Sequence, residues 1–163
     1  MFQLEKAIEK IIGNCFGIKP KESLLILIDE DKRELGQKVF KIALSKKIDV
    51  ALLECELEAK NREPSNTIQN IAKQASAVLV MTESSLLHSK FKNAICHNGG
   101  RILFLLSPTL EALVRTANVN LANVESQSRR IADLFSIGKI VHLTTEAGTD
   151  LTFRITRHKG IVH

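Results

Sequence analysis

The sequence predicts a doubly wound α/β domain: a mainly parallel five-stranded sheet with helices on both faces, plus a C-terminal β-hairpin strand. Three observations predict it. Five short runs, at 24–28, 49–54, 77–81, 101–106 and 139–143, are nearly continuous in apolar residues, as strands covered on both faces are. Stretches with apolar residues at helical spacing separate them, which is the pattern of successive strand–helix–strand units. A chain of 163 residues, 44% hydrophobic and 25% charged, is also long enough to close one core without staples.

Each element follows in order. Residues 3–16 form a helix through Leu4, Ala7, Ile8, Ile11 and Ile12, and Gly13 and Gly17 loosen its end. Pro20 fixes a turn within Ile18–Ser23. Leu24–Ile28 is the first strand, and Asp29-Glu30-Asp31 behind it can cap the next helix. That helix covers 32–46, with Leu35, Val39, Ile42 and Ala43 on its inner face. The second strand is Asp49–Glu54. Residues 55–65 are polar and irregular; Ser65 or Asn66 then caps a short helix carrying Ile68, Ile71 and Ala72. Ala77–Met81 is the third strand, followed by Thr82-Glu83-Ser84-Ser85 and a helix over 86–97 that Asn98-Gly99-Gly100 stops. Arg101–Leu106 is the fourth strand, closed by Ser107-Pro108. Helices near 109–115 and 123–137 follow, the second with Ile131, Leu134 and Phe135 inward. Lys139–Leu143 is the fifth strand. Past the turn residues 144–150, Leu151–Arg157 alternates apolar and polar, as a half-buried strand does. The organisation expected is an α/β domain over 1–145, then a hairpin strand over 146–163 leading toward a second domain absent from this chain.

Composition excludes several classes. Apolar content rules out disorder. Three cysteines, Cys15, Cys55 and Cys96, are too few and odd in number for a disulfide framework; as free thiols they suit a reducing, cytoplasmic setting. No run approaches the length of a membrane span, and the N-terminus lacks a signal-peptide pattern. The net charge of +5 comes from 23 basic and 18 acidic residues, but the basic residues are scattered. With seven Phe and no Trp or Tyr there are few faces on which bases could stack, so no nucleic-acid partner is expected, and no membrane.

The motifs narrow the chemistry further. The loop after the first strand is Asp29-Glu30-Asp31, which would repel the pyrophosphate that a dinucleotide fold binds there. No Gly-rich phosphate loop, HExxH or zinc-spaced cysteine pair occurs. His142 reads as a partly buried strand residue, and His97 suits a helix C-terminus. Cys96, beside Ala94 and Ile95, reads as a buried thiol, and Glu111 and Arg115 as a helix-surface pair. Thr82, Ser84, Ser85, His88 and Ser89 gather beyond the carboxyl end of the third strand, where open α/β sheets bind ligands. Helix capping by Ser84 or Ser85 explains the same residues. No residue is assigned a catalytic or metal-binding role.

Four segments carry a family resemblance. Ile18-Lys19-Pro20-Lys21-Glu22-Ser23-Leu24-Leu25-Ile26 leads into the first strand. Ala77–Thr82 with Ser84-Ser85-Leu86-Leu87-His88-Ser89 forms the second segment. Asn98-Gly99-Gly100-Arg101-Ile102 and Thr144–Phe153, with its Gly148-Thr149-Asp150-Leu151 element, complete the set. In this order they resemble the aminopeptidase T (thermophilic leucyl-type) metallopeptidases, with Lys21 in place of a Gly and Leu87 in place of a Thr. The resemblance implies the N-terminal domain of a two-domain metallo-aminopeptidase, a hydrolase, catalytically incomplete alone. It implies a divalent metal such as zinc or cobalt in a full-length member, no cofactor in this chain, and a peptide substrate only with a second domain. It also turns Thr82, Ser84, Ser85, His88, Thr149 and Asp150 toward the cleft. Two other readings stand beside it. One is a non-enzymatic α/β binding or oligomerising module, compatible with a homodimer, using the edge of the 151–157 strand. The other is a small-molecule-binding α/β protein with its ligand near 82–89.

Overall fold

A computed structural model describes residues 2–55, 63–83, 86, 87, 89–106, 108–117, 119–156 and 159–162. The elements run α1 (Phe2–Lys10, widening into a π-helical turn at Ile11–Cys15), β1 (Ser23–Ile28), a 3₁₀ turn (Glu30–Lys32) and α2 (Arg33–Ser45). Next come β2 (Asp49–Glu54), α3 (Asn66–Ala72), β3 (Ala77–Thr82), α4 (Lys90–His97), β4 (Arg101–Leu106) and α5 (Leu110–Ala117). The last are α6 (Leu121–Ile137), β5 (Ile140–Thr144) and β6 (Asp150–Arg154). The chain divides into two compact units, Met1–Asn118 and Val119–His163. No described helix is long and apolar enough to cross a membrane.

The first unit is the doubly wound domain. Its sheet is parallel and four-stranded, in the order β2-β1-β3-β4. Side chains alternate across a strand, and the apolar runs divide accordingly. Leu24, Ile26 and Ile28 of β1, with Ala77, Leu79 and Met81 of β3, join α1, Val39 and Ala43 of α2, and Leu113 of α5 on one face. Leu25 and Leu27, with Val78 and Val80, meet Ala72 of α3 and Phe91 and Ile95 of α4 on the other. Helices therefore cover both faces, as the continuous apolar runs predict.

The expected fifth parallel strand is not in this sheet. Ile140–Thr144 pairs antiparallel with Asp150–Arg154 in the second unit, with Val141 opposite Phe153 and Thr144 opposite Asp150. Two features explain this. The run is interrupted by His142, so it alternates rather than being apolar throughout. The turn behind it also closes on itself: Gly148 N–H donates to Thr145 O and Thr145 N–H to Thr149 O, both at 3.0 Å, with Gly148 at φ +99°. A strand with a tight turn after it finds its partner locally.

The inward assignment of α6 is also corrected. Ile131, Leu134 and Phe135 are 51%, 55% and 41% exposed, and no described residue of the second unit is buried. Helical spacing identifies an apolar stripe but does not say whether anything covers it. Similarly, α4 buries Phe91 and Ile95, four residues apart, and this turns Cys96 outward to an exposed position. Among the described residues, no ion pair joins Glu111 and Arg115.

Helix ends mostly follow the local signals. Ser65 caps α3 by accepting from Ile68 N–H. Gly99, at φ +79°, ends α4, and His97 Nδ1 lies 2.6 Å from Asn93 O in the last turn. The start of α4 also uses a distant group. Ser89 Oγ accepts from Lys92 N–H at 3.1 Å, while the Glu63 carboxylate accepts from Lys90 N–H at 2.6 Å and Phe91 N–H at 2.9 Å. Ser89 N–H donates to Leu86 O, so the first four N–H groups of the helix all have partners. Replacing Glu63 with Ala frees two of them and removes a negative charge from a helix N-terminus. Urea unfolding should show a loss of about 1 kcal/mol, with Glu63→Gln losing less. Unchanged stability in Glu63→Ala contradicts this capping role.

Candidate functional site

In the order β2-β1-β3-β4 the chain winds outward in both directions from β1 and β3. The carboxyl ends of these two strands are therefore the switch point at which open α/β sheets form a crevice. Asp29 follows β1 and Glu83 follows β3. The Asp29 side chain does not cap the turn behind it; its Oδ2 accepts from Glu83 N–H at 2.7 Å, tying the two strand ends together. Its Oδ1 is buried and has no hydrogen-bond partner among the described residues. Thr82, the last residue of β3, is fully buried.

Charged groups surround this pair. Lys32 forms an ion pair with Glu83, and that hydrogen bond, the largest cause, raises the Lys32 pKa and holds it protonated. Arg33 grips Glu54 with both ends of its guanidinium, Nε lying 2.7 Å from Oε2. The Arg33 hydrogen bond holds the Glu54 carboxyl below its usual range. That pairing is present at neutral pH and is lost as pH falls through the depressed value. Cys55, just past β2, donates its N–H to Ile28 O at 2.9 Å. Burial first, then the Asp29 and Glu54 charges, push its thiol up to about 11. Lys32 and Arg33 are each ion-paired with a carboxylate, Glu83 and Glu54, and Lys32 also feels the charges of Asp29 and Asp31.

The second unit carries the other sequence-predicted candidates. Asp150, at the start of β6, accepts at Oδ1 from His142 Nε2 on β5 at 2.8 Å when that nitrogen is protonated. Both are exposed, so His142 is not the partly buried residue its strand suggests. Thr149 N–H donates to Thr145 Oγ1 at 3.1 Å, a turn-stabilising bond. Ser84, Ser85 and His88 lie outside the described residues. Among the described residues, no three His, Cys, Asp or Glu side chains come together as a metal site; the His142–Asp150 pair supplies two donors.

A family model described as NicX: 2,5-dihydroxypyridine 5,6-dioxygenase matches residues 4–163. The chain belongs to the NicX family. A search of curated proteins finds no match.

Membership in the NicX family corrects the aminopeptidase assignment, and with it the metallopeptidase and hydrolase readings. The physical reason lies in which residues carried the resemblance. Pro20 and Lys21 form a turn, Ala77–Thr82 is a buried strand, Asn98–Gly100 ends a helix and Thr145–Gly148 closes a hairpin. Apart from Ser84, Ser85 and His88, which lie outside the described residues, these segments are architectural, and an architecture hosts many chemistries.

Sequence reasoning found Thr82, read Asp29 only as part of an acidic cluster that could cap a helix and would repel a pyrophosphate, and gave Lys32 and Glu83 no part in a site. The available signal was the position of Asp29 directly behind the most apolar strand of the sheet. The state of Cys55 gives a direct check. At pH 8 about one thousandth of a thiol with a pKa near 11 is thiolate, so iodoacetamide labelling followed by peptide mass spectrometry should find exposed Cys96 modified first and Cys55 last. Equal rates for Cys55 and Cys96 contradict the burial and charge described at the crevice.

Proposed function

We propose that this chain takes part in the oxygenative ring opening of a hydroxylated pyridine, and that its own share is to hold that substrate at the β1–β3 crevice. The NicX match over residues 4–163 is the observation that carries the reading. In the reaction the family description names, the ring bond between C5 and C6 breaks and both atoms of O₂ enter the product, leaving a carboxyl at C5 and a formyl at C6.

The electrostatics of the crevice support a neutral ring bearing hydrogen-bond donors. An unpaired, dry carboxylate oxygen is costly to a fold, and a ring N–H or O–H placed against Asp29 Oδ1 recovers that cost. The carboxylates around the switch point disfavour a phosphate there, whereas a dihydroxypyridine, with its hydroxyl groups and pyridone-type N–H, brings donors. Because Oδ1 is out of contact with water, a donor reaches it only if the side chains above it move aside.

Cleavage by O₂ needs a redox-active centre. Iron suits that chemistry, whereas zinc has no redox chemistry. The described residues do not supply an iron ligand set, so the role assigned to them is confined to the substrate. The three thiols, of which Cys15 and Cys96 are exposed, support a cytoplasmic setting.

Calorimetric titration of the chain with 2,5-dihydroxypyridine under anaerobic conditions tests this. Binding should be measurable. Asp29→Asn, which turns one acceptor into a donor, should weaken it about tenfold, or about 1.4 kcal/mol, and pyridine, which lacks the donors, should bind still more weakly. An Asp29→Asn variant that melts like the parent and binds equally well overturns the reading, as does an affinity for pyridine equal to that for the dihydroxy ring.

A further inference from the structure

The opposite, amino-terminal edge of the same sheet holds a cavity of about 490 Å³ between the turn before β1 and the turn before β2. Its apolar lining comes from Ile18, Pro20 and Ile48, and its charged lining from Lys19, Lys21, Lys46 and Lys47. Two of these lysines occupy unusual backbone. Lys21 has φ +75° and Lys47 has φ +59°, and among the described residues they are the only non-glycine residues at positive φ.

Both positions favour glycine for separate local reasons. Glu22 N–H donates to Lys19 O at 3.1 Å, closing a turn with Pro20 second and Lys21 third. A left-handed third residue in such a turn is normally Gly or Asn. At the end of α2, Ile48 N–H donates to Ala43 O at 3.3 Å and Lys47 N–H to Leu44 O at 2.9 Å. This is the Schellman arrangement, whose left-handed residue is also normally glycine. Two unrelated turns thus each carry a strained lysine, and both lysines line one cavity. Strain retained at a side chain that stability alone would replace points to a use for that side chain.

The charges indicate the use. Lys46 is held by Glu9 at 2.6 Å. Glu22, also at the cavity, is engaged by Arg101 and accepts at Oε2 from Lys19 N–H at 2.8 Å. Among the described residues, no ion pair engages Lys21 or Lys47. Asp49 is the remaining carboxylate in the lining, so the cationic charge exceeds the anionic charge. Lysine ammonium groups act as point charges for phosphate, while Ile18, Pro20 and Ile48 accept an apolar body.

We propose that this cavity binds a phosphorylated organic anion of about nucleoside-diphosphate size, at a site separate from the β1–β3 crevice. Titration calorimetry of the full chain at low salt, using ADP, pyrophosphate and adenosine as probes, tests it. ADP should bind more tightly than pyrophosphate, and adenosine at least about tenfold more weakly than ADP. The double variant Lys21→Gly, Lys47→Gly should lose at least about tenfold in ADP affinity while melting no lower than the parent, because glycine relieves both strained positions. Lys90→Ala with Lys139→Ala removes the same charge elsewhere and should leave ADP binding unchanged. The proposal is overturned if the parent shows no ADP binding at about 1 mM, or if the glycine double variant binds within about twofold of the parent. It is equally overturned if the Lys90 and Lys139 variant loses as much affinity, or if adenosine binds as tightly as ADP.

Discussion

Strand β1 is apolar from Leu24 to Ile28 and hydrogen-bonds along both edges, to β2 and to β3, so every side chain it carries has to be covered by something other than a neighbouring strand. That requirement sets the layout of the first unit. Leu24, Ile26 and Ile28 call for α1, α2 and α5 on one face, and Leu25 and Leu27 call for α3 and α4 on the other. Each such burial contributes about 1.5–3 kcal/mol, and a one-residue slip of β1 would exchange the two sets. Gly36 shows how closely the layers approach: a Cβ there would lie 2.9 Å from Ile28 Cγ2.

A parallel sheet also sorts chemistry by edge, because all strands enter on one side and leave on the other. At the leaving edge Asp29, Glu54 and Glu83 meet Lys32 and Arg33, and one carboxylate oxygen has no partner among the described residues. At the entering edge Lys19, Lys21, Lys46 and Lys47 outnumber their carboxylates. The two edges therefore suit different ligands, a neutral donor-bearing ring at one and an organic phosphate at the other. The acidic residues after β1 that exclude pyrophosphate from the usual position do not act on a site at the far end of the strands.

Much of the first unit was legible because its determinants are local. Continuous apolar runs marked four strands of the sheet, the Ser65-Asn66 pair marked a cap, of which Ser65 is the one used, and Asn98-Gly99-Gly100 marked a stop. What was not legible depends on partners far away in the chain. Glu63 caps a helix that starts 27 residues later, and Asp29 reaches a backbone N–H 54 residues away; a carboxylate in sequence does not announce such a target. Lys139–Leu143 looked like a sheet strand because apolar content says nothing about which strand is the partner. The stripe of Ile131, Leu134 and Phe135 was visible, but its exposure was not. The family was misassigned for a related reason: turns, strands and a hairpin are what the quoted motifs encode, and those segments carry the fold rather than the reaction.

The account depends most on the ends of β1 and β3 being the place where a hydroxylated pyridine binds. Amide chemical-shift mapping of the ¹⁵N-labelled chain, titrated anaerobically with 2,5-dihydroxypyridine, addresses this residue by residue. The account predicts that the largest shifts fall at Asp29, Lys32, Thr82 and Glu83, with the β5–β6 hairpin unmoved. Shifts centred on His142 and Asp150, or on Lys21 and Lys47, with the crevice silent, would contradict it.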